Sequence, residues 1–169
     1  MNPKNWNIKK MLKEIAIGLL MIFVVSNVMS YLRKPTLESN VLPHIEVKLL
    51  DGTVFSSKAI EGKPIIIHFW ATWCPTCKIE AGNIQSVSGK YTVLTIAVQS
   101  GEDREIEAYM KENGLRFKVL NDVDGAWAKK FKVEAYPTTF IYDGKGELRF
   151  TEVGYTTTAG LLARLKMVE

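Results

Sequence analysis

The two cysteines of this 169-residue chain stand three positions apart, in the sequence Cys74-Pro75-Thr76-Cys77. Directly before them runs the apolar segment 65–70 (IIIHFW), which is typical of a strand covered on both faces. A cysteine pair where a buried strand turns into a helix can exchange a dithiol for a disulfide with another protein, with the first sulfur exposed and the second within reach. We therefore predict a redox centre with Cys74 as nucleophile and Cys77 as resolving cysteine.

The residues around the sulfurs have their own expected effects. Cys74 would lie at a helix N-terminus, where free N–H groups and the helix dipole lower a thiol pKa below its ordinary value of about 8.5. Pro75 and Thr76 influence the stability of the reduced pair, and we expect them to contact the substrate together with Trp73. An inert structural disulfide is the alternative, but so short a loop gains little chain entropy from a bridge.

The segment Ile15 to Leu32 contains no charged residue, and as a helix its 18 residues would measure about 27 Å, close to the hydrocarbon core of a bilayer. Four lysines precede it and only Arg33 and Lys34 follow closely, so the positive-inside rule predicts a cytoplasmic N-terminus. We predict a cytoplasmic segment over 1–14, a transmembrane anchor over 15–32, a tether over 33–43 and a folded domain over 44–169. A cleaved signal peptide ending at Val28-Met29-Ser30 is the alternative, and either way the domain is exported.

The formal net charge of +4 belongs to the N-terminus of the chain. Residues 1–34 hold six of the 22 basic residues but one of the 18 acidic residues, so the remainder is nearly neutral. The sequence therefore predicts no nucleic-acid partner.

Hydrophobic periodicity and turn residues predict an α/β fold after the apolar helix. Strands are predicted over 44–50, 53–55, 65–70, 91–99, 116–120, 138–142 and 147–153, and helices over 75–87, 102–113, 124–131 and 156–168. This order predicts a mixed central sheet with helices on both faces.

Three segments carry a resemblance: 69–77 (FWATWCPTC), Ser100-Gly101, and 135–138 (AYPT). They resemble the thioredoxin fold, and specifically the membrane-anchored, TlpA-like extracytoplasmic thioredoxins of bacteria. Within that group, the stretch KPIIIHFWATWCPTCKIEAGNI with VQSGED is most similar to the ScsD-type protein disulfide oxidoreductases. The resemblance covers roughly residues 44–168.

The resemblance implies roles for residues that the local pattern does not mark. In thioredoxin-like proteins the proline matching Pro137 is cis and faces the cysteines, which leaves the backbone at Tyr136 free to pair with a substrate. His68 stands where many thioredoxins have a buried acid, and its imidazole could accept a proton from Cys77. Glu80 is the other possible proton acceptor.

These features predict a protein thiol-disulfide oxidoreductase that exchanges disulfides with exported proteins and is supplied by a membrane or periplasmic thiol relay. We expect a single-pass protein of the bacterial inner membrane with its domain in the periplasm. No cofactor beyond the Cys74–Cys77 disulfide and no metal is expected. Two alternatives remain: a dedicated reductant of apocytochrome thiols in cytochrome c maturation, and a Cu(I)-binding module built on the two sulfurs.

Overall fold

The computed structural model describes residues 8–60 and 62–169, and the chain divides into two units, Met1–Arg33 and Lys34–Glu169. In the first unit, helix α1 (Ile8–Leu32) exposes apolar side chains along its length. Its segment Lys10–Leu32 is long and apolar enough to cross a membrane, a property that anchors share with signal sequences. Residues 1–7 of the predicted cytoplasmic segment lie outside the described residues.

The second unit is an α/β structure. In chain order it contains β1 (Glu46–Lys48), β2 (Val54–Ser56), β3 (Ile65–Trp70), α2 (Pro75–Ser88), β4 (Thr92–Val98), α3 (Asp103–Glu112), β5 (Lys118–Asp122), α4 (Ala126–Lys130), β6 (Thr138–Tyr142), β7 (Leu148–Val153) and α5 (Thr158–Lys166). A short 3-10 helix, Ser57–Ile60, follows β2. The predicted order of strands and helices after the apolar segment is confirmed.

A five-stranded mixed sheet forms the centre of this unit, with the strand order β5-β4-β3-β6-β7. The first three are parallel to one another, β6 is antiparallel to β3, and β7 is antiparallel to β6. The strands β1 and β2 form a separate antiparallel hairpin. Its predicted turn is present, with Gly52 at φ +80° and the Asp51 carboxylate accepting the N–H of Thr53 at 2.9 Å.

All six residues of β3 are buried, because the sheet has a hydrophobic cluster on each face. Ile66 and Trp70 point towards the cluster that contains residues of α2, α3 and α5. Ile67 and Phe69 point to the opposite cluster, where Phe69 packs against Phe131 with ring centroids 5.2 Å apart. A continuous apolar strand is thus explained by helices or connecting segments on both of its faces.

The segment that precedes β1 packs on the domain. Leu37 and Leu42 contact the cluster that contains Phe131, and Glu38 lies 3.4 Å from the ammonium of Lys132. The N–H of Leu42 donates to the backbone oxygen of Gly146 at 2.7 Å. Apolar burial and backbone pairing therefore hold residues 37–42 against the rest of the second unit.

Candidate active site

Cys74 and Cys77 are joined by a disulfide at the corner where β3 passes into α2, with their Cα atoms 5.3 Å apart. Cys74 is the N-cap residue of the helix, and its Sγ accepts the backbone N–H of Cys77 at 3.2 Å. Pro75 occupies the first turn, where a missing N–H leaves no intrahelical bond unmade. The first sulfur therefore lies where the free N–H groups and the positive end of the helix dipole stabilise a thiolate.

The expectation that the first sulfur is exposed is wrong for this disulfide state. Cys74 is 4% exposed and Cys77 is 3% exposed. The covalent bond and the hydrogen bond from Cys77 both draw the Cys74 sulfur towards the helix N-terminus and the cluster beneath it. The neighbouring Trp73, by contrast, is 56% exposed.

Two hydrogen bonds connect the loop before Cys74 to the residues at the end of β4. The Thr72 N–H donates to Ser100 Oγ, and the Trp73 indole N–H donates to the backbone oxygen of Gln99, both at 3.0 Å. Gln99 has φ +45°, so its backbone adopts the left-handed region at this contact. The sequence assigned no role to Gln99 or to the Ser100 hydroxyl, although Ser100-Gly101 marks the end of the strand.

The Tyr136–Pro137 peptide bond is cis, and it lies directly before β6. Because Thr138 pairs with Phe69 in antiparallel register, Pro137 lies next to the C-terminal end of β3. Cys74 follows that same end of the strand. The ring of Tyr136 packs edge-to-face on the ring of Trp73, with centroids 5.6 Å apart. The structure thus brings Trp73, Tyr136 and Pro137 together at the disulfide end of the sheet.

Glu80 lies on the buried face of α2, three residues after Cys77, and its side chain is fully covered. Its Oε1 accepts the backbone N–H of Thr156 at 2.7 Å. Burial raises the pKa of Glu80 to about 8, although the Thr156 hydrogen bond acts in the opposite direction. At neutral pH this carboxyl group is therefore mainly protonated, and it lies on the same buried face of α2 as Cys77.

His68 lies on β3 and is 3% exposed. Its Nδ1 is 2.9 Å from Thr139 Oγ1, and its Nε2 is 4.0 Å from Glu80 Oε2. Burial lowers the pKa of His68 to about 3, so its imidazole is neutral at physiological pH. The structure therefore brings together the two candidate proton acceptors, His68 and Glu80.

The other predicted contact residues lie at the surface of the first helical turn. Pro75 is exposed and Thr76 is half-buried, so both are accessible beside the disulfide. Within the ranges 8–60 and 62–169, no group of three or more His, Cys, Asp or Glu residues could hold a metal ion. The site therefore offers sulfur chemistry, a buried proton and an exposed aromatic edge.

The chain is similar to known proteins over both the site and the fold. The profile of the AhpC/TSA family matches residues 39–151. A thioredoxin-like protein of Haemophilus influenzae is 29% identical over 164 residues, which cover 96% of this chain and 97% of that protein. Sporulation thiol-disulfide oxidoreductase A of Bacillus subtilis is 32% identical over 124 residues, which cover 64% of this chain and 75% of that protein.

Solved structures show the same architecture. The crystal structure of StoA from Bacillus subtilis matches with a TM-score of 0.65 and 27% sequence identity. The matched region covers 74% of this chain and 98% of the StoA chain. The thioredoxin fold predicted from the sequence is therefore confirmed.

Proposed function

This chain belongs to the AhpC/TSA family and is a thiol-disulfide oxidoreductase; from that premise we propose that it exchanges disulfides with exported proteins through Cys74 and Cys77 while tethered to a membrane. One observation carries the proposal: Cys74 is the N-cap of α2, and its sulfur is bonded to Cys77 one turn further along the helix. In this arrangement the thiolate of Cys74 is stabilised, and Cys77 is close enough to attack a mixed disulfide formed at Cys74.

In the oxidising direction, a substrate thiolate attacks Cys74 Sγ and the Cys74–Cys77 bond breaks. Cys77 leaves with the electron pair and takes a proton from Glu80. The substrate's second thiolate then attacks its own sulfur in the mixed disulfide, so that an oxidised substrate and a reduced Cys74 are released. In the reducing direction Cys74 attacks a substrate disulfide, and Cys77, after giving its proton to Glu80, attacks Cys74 to release the substrate dithiol.

The surface around the sulfurs is suited to an extended protein segment. The ring of Tyr136 contacts that of Trp73, which precedes Cys74, and this contact supports pairing of the Tyr136 backbone with a substrate backbone. Trp73, half-exposed and packed edge-to-face on Tyr136, offers an apolar contact, and Pro75 and Thr76 border the nucleophile. Recognition through backbone and apolar contacts would allow many exported substrates.

The proposal places α1 as the single membrane span of a bacterial inner membrane protein, with the domain in the periplasm. The apolar segment Lys10–Leu32 supports an anchor or signal role, and the lysines before it support an N-terminus in the cytoplasm. A membrane or periplasmic thiol relay would restore the redox state of the cysteine pair after each turnover.

Replacing each cysteine in turn tests this function. Cys74→Ser should abolish insulin reduction and thiol oxidation, whereas Cys77→Ser should accumulate covalent mixed disulfides with substrate. Ser86→Ala, an exposed change on the same helix, serves as the control. Unchanged activity in both cysteine variants would contradict the proposal.

A second candidate is a dedicated reductant of apocytochrome thiols in cytochrome c maturation, and the buried Glu80 favours it because TlpA-like proteins of that pathway often carry a glutamate there. The reduction potential of the Cys74–Cys77 couple separates the directions of electron flow. A value near about −270 mV, as in thioredoxin, indicates a reductase, and one near about −120 mV, as in DsbA, indicates an oxidase.

A further inference from the structure

His68 of β3 and Glu80 of α2 face each other, and the two side chains are 3% and 0% exposed. The shortest contact is 4.0 Å, between Nε2 of His68 and Oε2 of Glu80. Among the described residues, Oε2 has no hydrogen-bond partner, whereas Oε1 is bonded to the N–H of Thr156. Burying a carboxyl oxygen without a hydrogen-bond partner costs free energy, so the position of the His68 imidazole in front of Oε2 needs a physical reason.

Several neighbouring elements contribute polar groups to the surroundings of the pair. Cys77 shares the buried face of α2, Thr139 of β6 lies opposite His68, and the Thr156 N–H comes from the segment before α5. Glu152 of β7, the cross-strand partner of Thr139, is held by Arg164 of α5 with Oε1 and Nε 2.9 Å apart. The Glu152–Arg164 ion pair has no net charge. Burial is therefore the main influence on the pKa values of His68 and Glu80.

The Thr139 hydroxyl determines which imidazole nitrogen carries the proton. Its hydrogen-bond partner among the described residues is Nδ1 of His68, at 2.9 Å. If Nδ1 donated, the buried Thr139 O–H would be left without an acceptor, and Nε2 would accept a hydrogen bond from protonated Glu80, for which the 4.0 Å between Nε2 and Oε2 is too long. The hydroxyl therefore donates to Nδ1, and the imidazole proton lies on Nε2, facing Glu80.

We infer that His68 is a positioning residue for Glu80: it holds an Nε2–H ready to bond the carboxylate that forms when Glu80 gives its proton to Cys77. The inference rests on the proposed function, because it assigns a partner to the proton exchange at Cys77. In the transfer the O–H bond of Glu80 breaks, an S–H bond forms at Cys77, and the negative charge moves from sulfur to the carboxylate.

The 4.0 Å separation fits this assignment. While Glu80 is protonated on Oε2, two hydrogen-bond donors face each other and cannot pair. Once Oε2 is ionised it becomes an acceptor, and a shift of roughly 1 Å brings it to the N–H···O⁻ distance of about 2.8–3.0 Å. The imidazole therefore favours the anionic form of Glu80 and stays neutral throughout the cycle.

Nuclear magnetic resonance of the full-length protein in detergent micelles tests the inference directly. We expect the ¹⁵N shifts of His68 to show a neutral ring protonated on Nε2 from pH 6 to 9, and the carboxyl ¹³C signal of Glu80 to titrate in that range. A ring protonated on Nδ1, which would accept a bond from the protonated acid instead, would overturn the inference.

Variants add a functional test. His68→Phe keeps a planar ring but removes the donor, so the pKa of Glu80 should rise by about one unit, a tenfold change in proton affinity. Thr139→Val, which frees Nδ1, should shift this pKa in the same direction, and Thr139→Ser, which keeps the hydroxyl, should not. If His68→Phe does not fold, the Val and Ser pair decides alone, and equal pKa values in these two variants would contradict the inference.

These measurements do not depend on activity. Retained activity in Cys74→Ser would defeat the proposed function while leaving the tautomer result intact. Conversely, an unshifted Glu80 pKa in His68→Phe would defeat the inference while leaving cysteine exchange intact.

Discussion

The carboxyl group of Glu80 accepts the backbone N–H of Thr156 at 2.7 Å, a contact between residues 76 positions apart in the chain. It ties the helix that carries both cysteines to the segment before α5, on the side of the sheet that holds His68. The same bond leaves one carboxyl oxygen facing the imidazole. The carboxyl group of Glu80 thus lies between the Thr156 N–H and the His68 imidazole, on the buried face of α2 that also carries Cys77.

The thiolate of Cys74 should form at a lower pH than an ordinary thiol. In the reduced protein the N–H of Cys77 and the helix N-terminus remain beside this sulfur, so its pKa should fall below about 8.5. The rate of iodoacetamide alkylation against pH, measured on Cys77→Ser so that one thiol remains, gives the value. A midpoint at or above 8.5 would contradict the expectation.

Glu80→Gln should slow the protonation of Cys77 without disturbing the helix, because the amide keeps the shape and cannot exchange the proton. We expect the rate of disulfide reduction by dithiothreitol at neutral pH to fall by up to about 10²-fold, the usual range for general acid–base catalysis. Stopped-flow tryptophan fluorescence measures this rate. Glu107→Gln, an exposed change on α3, is the matched control, and equal rates in the two variants would exclude Glu80 from the step.

Stability should depend on pH through both buried groups. The folded pKa of Glu80, about 8, lies above its ordinary 4.5, so its contribution is fully present below pH 4.5 and declines as pH rises to 8. The folded pKa of His68, about 3, lies below 6.5, so its contribution is lost as pH falls from 6.5 to 3. The two slopes oppose each other between pH 4.5 and 6.5.

The free energy of unfolding of the oxidised protein should therefore rise from pH 3 to 4.5 and fall from pH 6.5 to 8. Each slope is about 1.4 kcal/mol per pH unit at most. Urea denaturation across this range measures it. Glu80→Gln should remove the decline above pH 6.5, and a wild-type decline that persists in this variant would exclude Glu80 as its source.

Ser100→Ala should destabilise the loop before the nucleophile. It leaves the half-buried Thr72 N–H without its acceptor, which costs about 1–3 kcal/mol in the free energy of unfolding. The rate of disulfide exchange should fall as well, because the loop positions Cys74. Ser86→Ala should change neither, and an unchanged free energy of unfolding in Ser100→Ala would show that the contact contributes little.

The N-terminal helix should keep the protein in the membrane after an alkaline carbonate wash. Mass spectrometry of the membrane fraction from a bacterial host should find α1 attached to the domain. Soluble protein beginning shortly after Ser30 would instead identify the helix as a cleaved signal.

Most of the secondary structure was predictable because its signals are local. The unbroken apolar run of β3, the Asp51-Gly52 turn and the acidic first turn of α3 each act within a few residues. Boundaries moved by one or two residues, as for the strand predicted over 44–50, which is observed as Glu46–Lys48. A strand end depends on which neighbour continues the hydrogen-bond ladder, and no local pattern specifies that.

The sequence by itself determined the redox centre, because two cysteines separated by a proline and a threonine after a buried strand leave little chemical choice. Only the tertiary structure decided that Cys74 is covered in the disulfide state, that Ser100 and Gln99 hold the preceding loop, and that His68 faces Glu80. These relations join residues 12 to 28 positions apart or depend on side-chain packing. They follow from strand register and from the seating of α2 on the sheet, which short-range patterns do not encode.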